Sequence, residues 1–311
     1  MDGIIGHTHI KNQIVKSISS GRFAHAYLIC GEDGIGKSLI AKATACLLLG
    51  KEENKEYVDI IECKVGKNKK SIGVDEIRGV IEEINNKPFE GDKKVIIIYN
   101  AELMTAQAQN SFLKTLEEPP KGVFMIMLCE ETENILDTIK SRCQIYKLNH
   151  LSKEEMHKFL TEKYSDLSED EVNMISIISD CVPGKAEEYI KNSTLKEVRD
   201  NVLYILANLR NRDLDILKFE ENFTKHKGMW KETLTWFLSY IRDVMIYKET
   251  GKNSLIINID KIEDIKRLSE IFSFTQLGDI MEIIKNTREK LESNVNTSLV
   301  FDTMLLKMQE V

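Results

Sequence analysis

The run Gly31-Glu32-Asp33-Gly34-Ile35-Gly36-Lys37-Ser38 matches the pattern G-x-x-x-x-G-K-[ST] at every fixed position. Residues of these types at this spacing bind phosphate. Glycines let consecutive backbone N–H groups curl around phosphate oxygens, and a following helix adds the partial positive charge of its N-terminus. Gly31, Gly34, Ile35 and Gly36 would form that cradle, Lys37 would reach the terminal phosphates, and Ser38 would ligate Mg²⁺. The expected occupant is a nucleotide, ATP or ADP.

Hydrolysis needs more than a cradle. An acidic residue at the end of a second buried strand normally holds Mg²⁺ and polarises water. The suitable strand, Val95 to Ile98, runs into Tyr99-Asn100-Ala101-Glu102. Tyr99 is neutral at pH 7, Asn100 cannot accept a proton from water, and Glu102 lies a few residues too far on. Glu102 reads instead as a charge in the first turn of the next helix. The machinery for hydrolysis reads as incomplete, with Glu102 as the alternative substitute for the missing carboxylate.

The elements that must position these residues alternate along the first half of the chain. Strand-like runs at His25 to Cys30, Val95 to Tyr99, Val123 to Leu128 and Gln144 to Leu148 are separated by helical segments. Those helices are Ser38 to Leu49, Val74 to Ile84 and Thr105 to Leu116. Gly50 and Pro119-Pro120 stop two of them. Apolar strands in this order imply a parallel sheet with crossover helices. The alternation ends near His150. Ser152 and Glu155 form a capping box, and everything beyond reads as helix, interrupted mainly at Pro183-Gly184. Trp230, Leu234, Phe237, Leu238, Ile241 and Met245 form one apolar stripe of a long helix that Gly251 ends.

Composition narrows the class. The 311 residues are 42% hydrophobic and 30% charged, an ordinary globular balance. With 43 basic against 50 acidic residues the net charge is −7, so contact with nucleic acid must rest on a local face. Four prolines and 16 glycines point to long uninterrupted elements. No membrane-spanning run or signal peptide is legible, and a cytoplasmic location is expected. The six cysteines (Cys30, Cys46, Cys63, Cys129, Cys143 and Cys181) include no Cys-x-x-Cys pair and read as buried thiols.

Gln109-Asn110-Ser111-Phe112-Leu113-Lys114-Thr115-Leu116-Glu117-Glu118-Pro119-Pro120 resembles the signature helix and turn of bacterial clamp-loader subunits. Ser141-Arg142-Cys143 resembles the Ser-Arg-Cys motif of that AAA+ group. Ile4-Ile5-Gly6, His25-Ala26-Tyr27-Leu28, Pro183-Gly184-Lys185-Ala186 and Asn296-Thr297-Ser298-Leu299 fall in the family's order. The resemblance spans the chain and is greatest to the delta-prime branch.

That resemblance implies an α/β P-loop AAA+ base with a parallel sheet (1–150), an all-α lid (151–192) and an all-α collar (193–311). It implies a place beside tau/gamma ATPase subunits and a delta subunit, acting on the sliding clamp and on primer–template DNA mainly through the assembled complex, with no membrane partner. Arg142 would serve a neighbour's ATP site in trans, oriented by Ser141 and Cys143. Ile5 and Lys185 join the nucleotide-binding set, Lys185 standing where related ATPases place an arginine. The polar residue after the Val123 strand, which senses the γ-phosphate in relatives, is replaced by Cys129-Glu130. Many relatives carry a four-cysteine zinc module, but residues 51–93 hold only Cys63, so no zinc is expected. Lys64, Lys67, Lys69 and Lys70 in that interval read as a solvated loop. The alternative is a clamp-loader ATPase that hydrolyses ATP at its own loop. A stand-alone helicase is disfavoured, because no helicase motif is recognisable.

Overall fold

The computed structural model describes residues 1, 3–53, 55–66, 69–210, 227–293 and 295–311; Lys67 lies outside them. The described chain forms two compact units, one of Met1–Ser165 with Asp180–Lys185 and one of Asp166–Ser179 with Ala186–Val311. The 151–192 segment contributes to both.

The first unit is built on five parallel strands in the order β2-β3-β4-β1-β5: β1 (Ala26–Cys30), β2 (Ile60–Cys63), β3 (Lys94–Ile98), β4 (Val123–Cys129) and β5 (Gln144–Lys147). The period-two alternation of side chains sends successive residues to opposite faces, and both faces are apolar. Leu28, Ile96, Ile98, Met125 and Met127 point to one side with α3 (Val74–Asn85) and α4 (Ala106–Glu117). Tyr27, Ile29, Val95, Ile97, Ile126 and Leu128 point to the other with α1 (Thr8–Ser19) and α2 (Lys37–Leu49). Every residue of β1 and of β3 is buried, Lys94 included. Lys94 satisfies its ammonium on the carbonyls of Glu83 (2.8 Å) and Asn86 (2.9 Å) at the end of α3.

Local signals set the helix limits. Gly50 takes a left-handed conformation after α2, and the N–H of Lys51 closes on the Cys46 carbonyl at 2.9 Å. Thr105 caps α4 through its hydroxyl, which accepts from the N–H of Ala108 at 3.2 Å. The capping box of α6 (Lys153–Lys163) is present: Glu155 N–H reaches Ser152 Oγ at 3.1 Å and Ser152 N–H reaches Glu155 Oε2 at 2.9 Å.

Three features differ from the sequence expectation. The edge strand β2 and helix α1 are absent from the sequence expectation: β2 is four residues long and mostly half-buried, whereas α1 does repeat Ile10, Ile14 and Ile18 at helical spacing and packs them on the sheet. Glu102 does not sit in the first turn of α4. It lies in a separate 3₁₀ turn, Ala101–Leu103, because Asn100 adopts a left-handed backbone and breaks the path between β3 and α4. In α10 (Trp230–Thr250) the buried face is centred elsewhere than the expected stripe: Leu234, Phe237 and Ile241 are buried together with Trp236, Tyr240 and Val244, whereas Trp230, Leu238 and Met245 are half-buried.

The second unit is helical: α7 (Glu169–Ile178), the body of α8 (Pro183–Lys191), α9 (Ser193–Asn208), α10, α11 (Ile262–Ile271), α12 (Phe274–Glu292) and α13 (Thr297–Glu310). A buried polar network ties its middle together. Asp243 on α10 accepts from the N–H groups of Ile257 (3.1 Å) and Asn258 (2.8 Å) and from the Asn258 side chain (2.8 Å). Arg199 on α9 donates to Asp260 at 2.6 and 2.9 Å and to Asn258 Oδ1 at 3.1 Å, with its guanidinium 5.1 Å from the Trp236 ring centre.

Candidate phosphate loop and interfacial arginine

The phosphate loop leaves β1 at Cys30 and enters α2 at Lys37, so α2 directs its N-terminal N–H groups at the loop. The turn is possible because Gly34 and Gly36 adopt φ of 79° and 108°. Gly36 has open space around it, whereas Gly34 packs against Gly184: a Cβ on Gly184 would lie 2.5 Å from the Gly34 Cα. The Gly184 N–H donates to the Gly34 carbonyl at 2.9 Å. Only a glycine pair allows this backbone contact.

Lys37 is buried, and its ammonium donates to the carbonyls of Gly31 (2.7 Å) and Glu32 (2.9 Å). Ile35 is buried beneath the loop, Ser38 is half-buried in the first turn of α2, and Ile5 is half-buried. Lys185 pairs with Glu32, whose other oxygen meets His150 Nε2 at 2.7 Å. Lys185 above all, with His150, holds the Glu32 carboxyl below its usual range. Sequence reasoning did not register His150. It also did not register His7, whose Nε2 lies 3.1 Å from the Ile35 carbonyl.

His7 gives the loop a pH dependence. Burial is the main influence and lowers its pKa below the ordinary 6.5. Between the lowered value and 6.5 the unfolded chain binds more protons than the folded one, so His7 favours folding fully above pH 6.5 and this contribution falls away below it. Protection factors of amides in α1 and α2, which discount the slower intrinsic exchange at lower pH, are expected to fall on going from pH 7 to pH 5, and His7→Gln should flatten that fall. An equal fall in the variant would exclude His7 as its source.

At the end of β3, Tyr99 turns toward β2: Lys64 lies 4.7 Å from its ring centre, and burial together with Glu62 pushes its hydroxyl pKa up. Lys64 itself pairs with Glu62, and Lys69 with Glu76. Glu102 lies within electrostatic reach of Cys30 and Cys129, as Lys37 does, and its Oε2 is buried without a hydrogen-bond partner. The Cys129 thiol donates to Cys30 Sγ at 3.1 Å. Cys30, Cys46, Cys63 and Cys129 are buried, and Cys143 and Cys181 half-buried, all as free thiols. Among the described residues no group of three or more His, Cys, Asp or Glu is arranged to hold a metal ion, and no helix is long and apolar enough to cross a membrane.

Arg142 lies apart from the loop. It follows α5 (Asp137–Lys140) and precedes Gln144, which pairs with Tyr27 at the start of β1, while the phosphate loop follows the other end of β1. Five residues of strand separate the two, about 16 Å at roughly 3.3 Å per residue. Arg142 Nη1 donates to the Thr138 carbonyl (2.8 Å) and Ser141 Oγ (3.3 Å), and Nη2 pairs with Glu117 at 2.5 Å. The side chain keeps 35% of its surface exposed. Cys143 packs half-buried against the core, where burial pushes its thiol up to about 12. The segment that leads into α5, ahead of Arg142, is anchored by Gln109, a residue of the signature helix with no role foreseen from sequence. Its buried amide donates to the carbonyls of Met104 (3.1 Å) and Asn134 (2.8 Å) and accepts from Leu136 N–H (2.8 Å).

Residues 6–152 match the family described as DNA polymerase III, delta subunit, and residues 193–310 match its C-terminal domain. The chain is 32% identical to DNA polymerase III subunit gamma of Buchnera aphidicola from Schizaphis graminum, covering 98% of this chain and 93% of that one. The chain belongs to the DNA polymerase III clamp-loader subunits. Another relative is the delta-prime subunit of Bacillus subtilis, 28% identical over 96% of this chain and 94% of its own. Among solved structures, the crystal structure of a DNA polymerase III gamma subunit-related protein from Thermotoga maritima is similar in fold. Its TM-score is 0.50 at 20% identity, with 97% of this chain and 98% of that one covered. The clamp-loader architecture accounts for the two halves seen here, a P-loop AAA+ base with a parallel sheet and a helical C-terminal region.

Proposed function

We propose that this chain is the delta-prime member of its clamp loader, which assists ATP-driven loading of the sliding clamp onto primed DNA without itself hydrolysing ATP. It would stand beside tau/gamma ATPase subunits and a delta subunit, with residues 151–192 as lid and 193–311 as collar, and meet clamp and DNA mainly within the complex. The observation that carries this reading is the position of Arg142. It is half-exposed at the end of the sheet opposite its own phosphate loop, so a guanidinium there serves a phosphate only on another subunit. An arginine of this kind neutralises charge developing on a γ-phosphate.

The phosphate loop fits a nucleotide: the glycine turn, the N-terminus of α2 and the buried Lys37 ammonium converge there. Gly31, Gly34, Ile35, Gly36 and Lys37 would hold the phosphates, Ile5 and Lys185 would flank them, and Ser38 would ligate Mg²⁺. Bound there, ATP or ADP supplies polyphosphate charge for the loop to neutralise. Tyr99 and Asn100, where the Mg²⁺-holding carboxylate belongs, leave the water without a base.

One observation favours the second reading, a subunit that hydrolyses ATP at its own loop. The buried, unpartnered Oε2 of Glu102 lies at the same end of the sheet as that loop. Steady-state ATPase assays on the isolated chain separate the two. Negligible turnover, unaltered by Lys37→Ala, is expected; turnover that Lys37→Ala abolishes would establish the second reading. The trans role is tested by Arg142→Ala in the reassembled loader.

A further inference from the structure

The double-proline turn does more than end α4: it leaves two carboxylates, Glu117 and Glu118, at the helix C-terminus. The helix dipole is negative there, so an acidic residue at this place is electrostatically unfavourable by roughly 0.3–1 kcal/mol. Sequences that break a local rule do so where the tertiary structure uses the residue. Glu117 has such a use, because its Oε1 accepts from Arg142 Nη2 at 2.5 Å. The two motifs that tie the chain to its family, the signature helix with its proline turn and Ser-Arg-Cys, meet in this one contact. His25, which precedes β1, reinforces the same corner, with Nε2 2.9 Å from the Leu116 carbonyl.

A guanidinium carries five N–H donors in a rigid fork. Nη1 is committed to the Thr138 carbonyl and Ser141 Oγ, and one donor of Nη2 to Glu117. Among the described residues Nε donates to nothing. The fork is therefore held at Nη1 and Nη2, and Nε and the second Nη2 hydrogen have no protein acceptor among the described residues. Without Glu117 only Nη1 would remain fixed, and the planar group could swing about it.

We propose that Glu117 is a positioning residue that fixes the Arg142 guanidinium so that its remaining donors meet a phosphate on the neighbouring subunit. This rests on the trans role of Arg142 proposed above. The partner is defined by chemistry: a nucleoside triphosphate bound at the edge of an adjacent ATPase subunit. Glu117 touches no phosphate in this arrangement, so its loss lowers kcat and leaves KM for ATP unchanged.

The test reassembles the full loader with four versions of this subunit: Arg142→Ala, Glu117→Ala, Glu117→Gln and the Arg142→Ala/Glu117→Ala pair. ATPase kcat and KM are measured together with assembly by gel filtration. Glu117→Ala is expected to lower kcat by about three- to tenfold, the scale of a lost charge-assisted hydrogen bond that orients a reacting group. Glu117→Gln, which retains an acceptor oxygen at the same reach, should recover part of that loss. In the Arg142→Ala background, Glu117→Ala should change nothing further. A merely structural carboxylate would lower the rate equally in both backgrounds, and that result overturns the proposal. So does an unchanged kcat for Glu117→Ala when Arg142→Ala is impaired, which leaves the trans role standing. No effect of Arg142→Ala would overturn the trans role and the positioning role with it. Glu117 is 48% exposed, so these substitutions leave the core intact.

Discussion

In a loader reassembled around this chain, Arg142→Ala is expected to reduce clamp-dependent ATP hydrolysis several-fold or more while the complex still assembles. Arginine fingers contribute about 10³–10⁵ to the rate at the site they serve. The loss for a whole complex is smaller, because ATP sites that do not use this arginine continue to turn over. Arg142→Lys should recover only a little: an ammonium is a point charge, and the anchored fork that Thr138, Ser141 and Glu117 hold would be gone. Assembly should survive both changes, because Arg142 is half-exposed and outside the core of the sheet. Full ATPase activity in the alanine variant would remove the main support for the delta-prime reading.

The second large effect concerns stability. Asp243 is fully buried and accepts from Ile257 N–H, Asn258 N–H, the Asn258 amide and Arg242 Nη1 (2.6 Å). Asp243→Ala leaves the N–H groups of Ile257 and Asn258 without their acceptor and frees Asn258 from its place between Asp243 and Arg199, while Arg242, 44% exposed, turns to water. The expected cost is about 2–4 kcal/mol, from buried donors left unsatisfied at about 1–3 kcal/mol each. Asp243→Asn keeps one acceptor and should cost about 1–3 kcal/mol. Both tryptophans, Trp230 and Trp236, lie on α10, so urea unfolding followed by tryptophan fluorescence reads the helical unit directly. A shift below about 1 kcal/mol for Asp243→Ala would show that water or rearrangement satisfies the donors.

Much of the site was legible in the sequence for a physical reason. The phosphate loop is one contiguous segment whose glycines, lysine and serine must stand at fixed spacing. The lack of a carboxylate after β3 is equally local. The buried strands declared themselves because a parallel sheet covered on both faces requires unbroken apolar runs, as Val95 to Ile98 provides. The strand β2 did not. It is an edge strand of four residues, and three of them are only half-buried. The separate turn that holds Glu102 is not legible, because the left-handed backbone of Asn100 gives no clear sign in a linear pattern. The buried face of α10 shares only Leu234, Phe237 and Ile241 with the periodic stripe, because burial there depends on α9, α11 and the loop at 252–258, not on one helix's own periodicity.

The phosphate-loop pattern, the absence of a carboxylate at Tyr99-Asn100, the parallel sheet and the family can all be read along the linear chain. Each of these is written in neighbouring residues or in a repeating pattern. Tertiary structure alone decided the rest, since each remaining contact joins residues far apart in the chain. Gly34 meets Gly184, Lys185 and His150 share Glu32, and Glu117 takes hold of Arg142. Register decided the last point. Because β5 starts beside the start of β1, the sheet sets Arg142 a full strand away from the loop that its own chain carries.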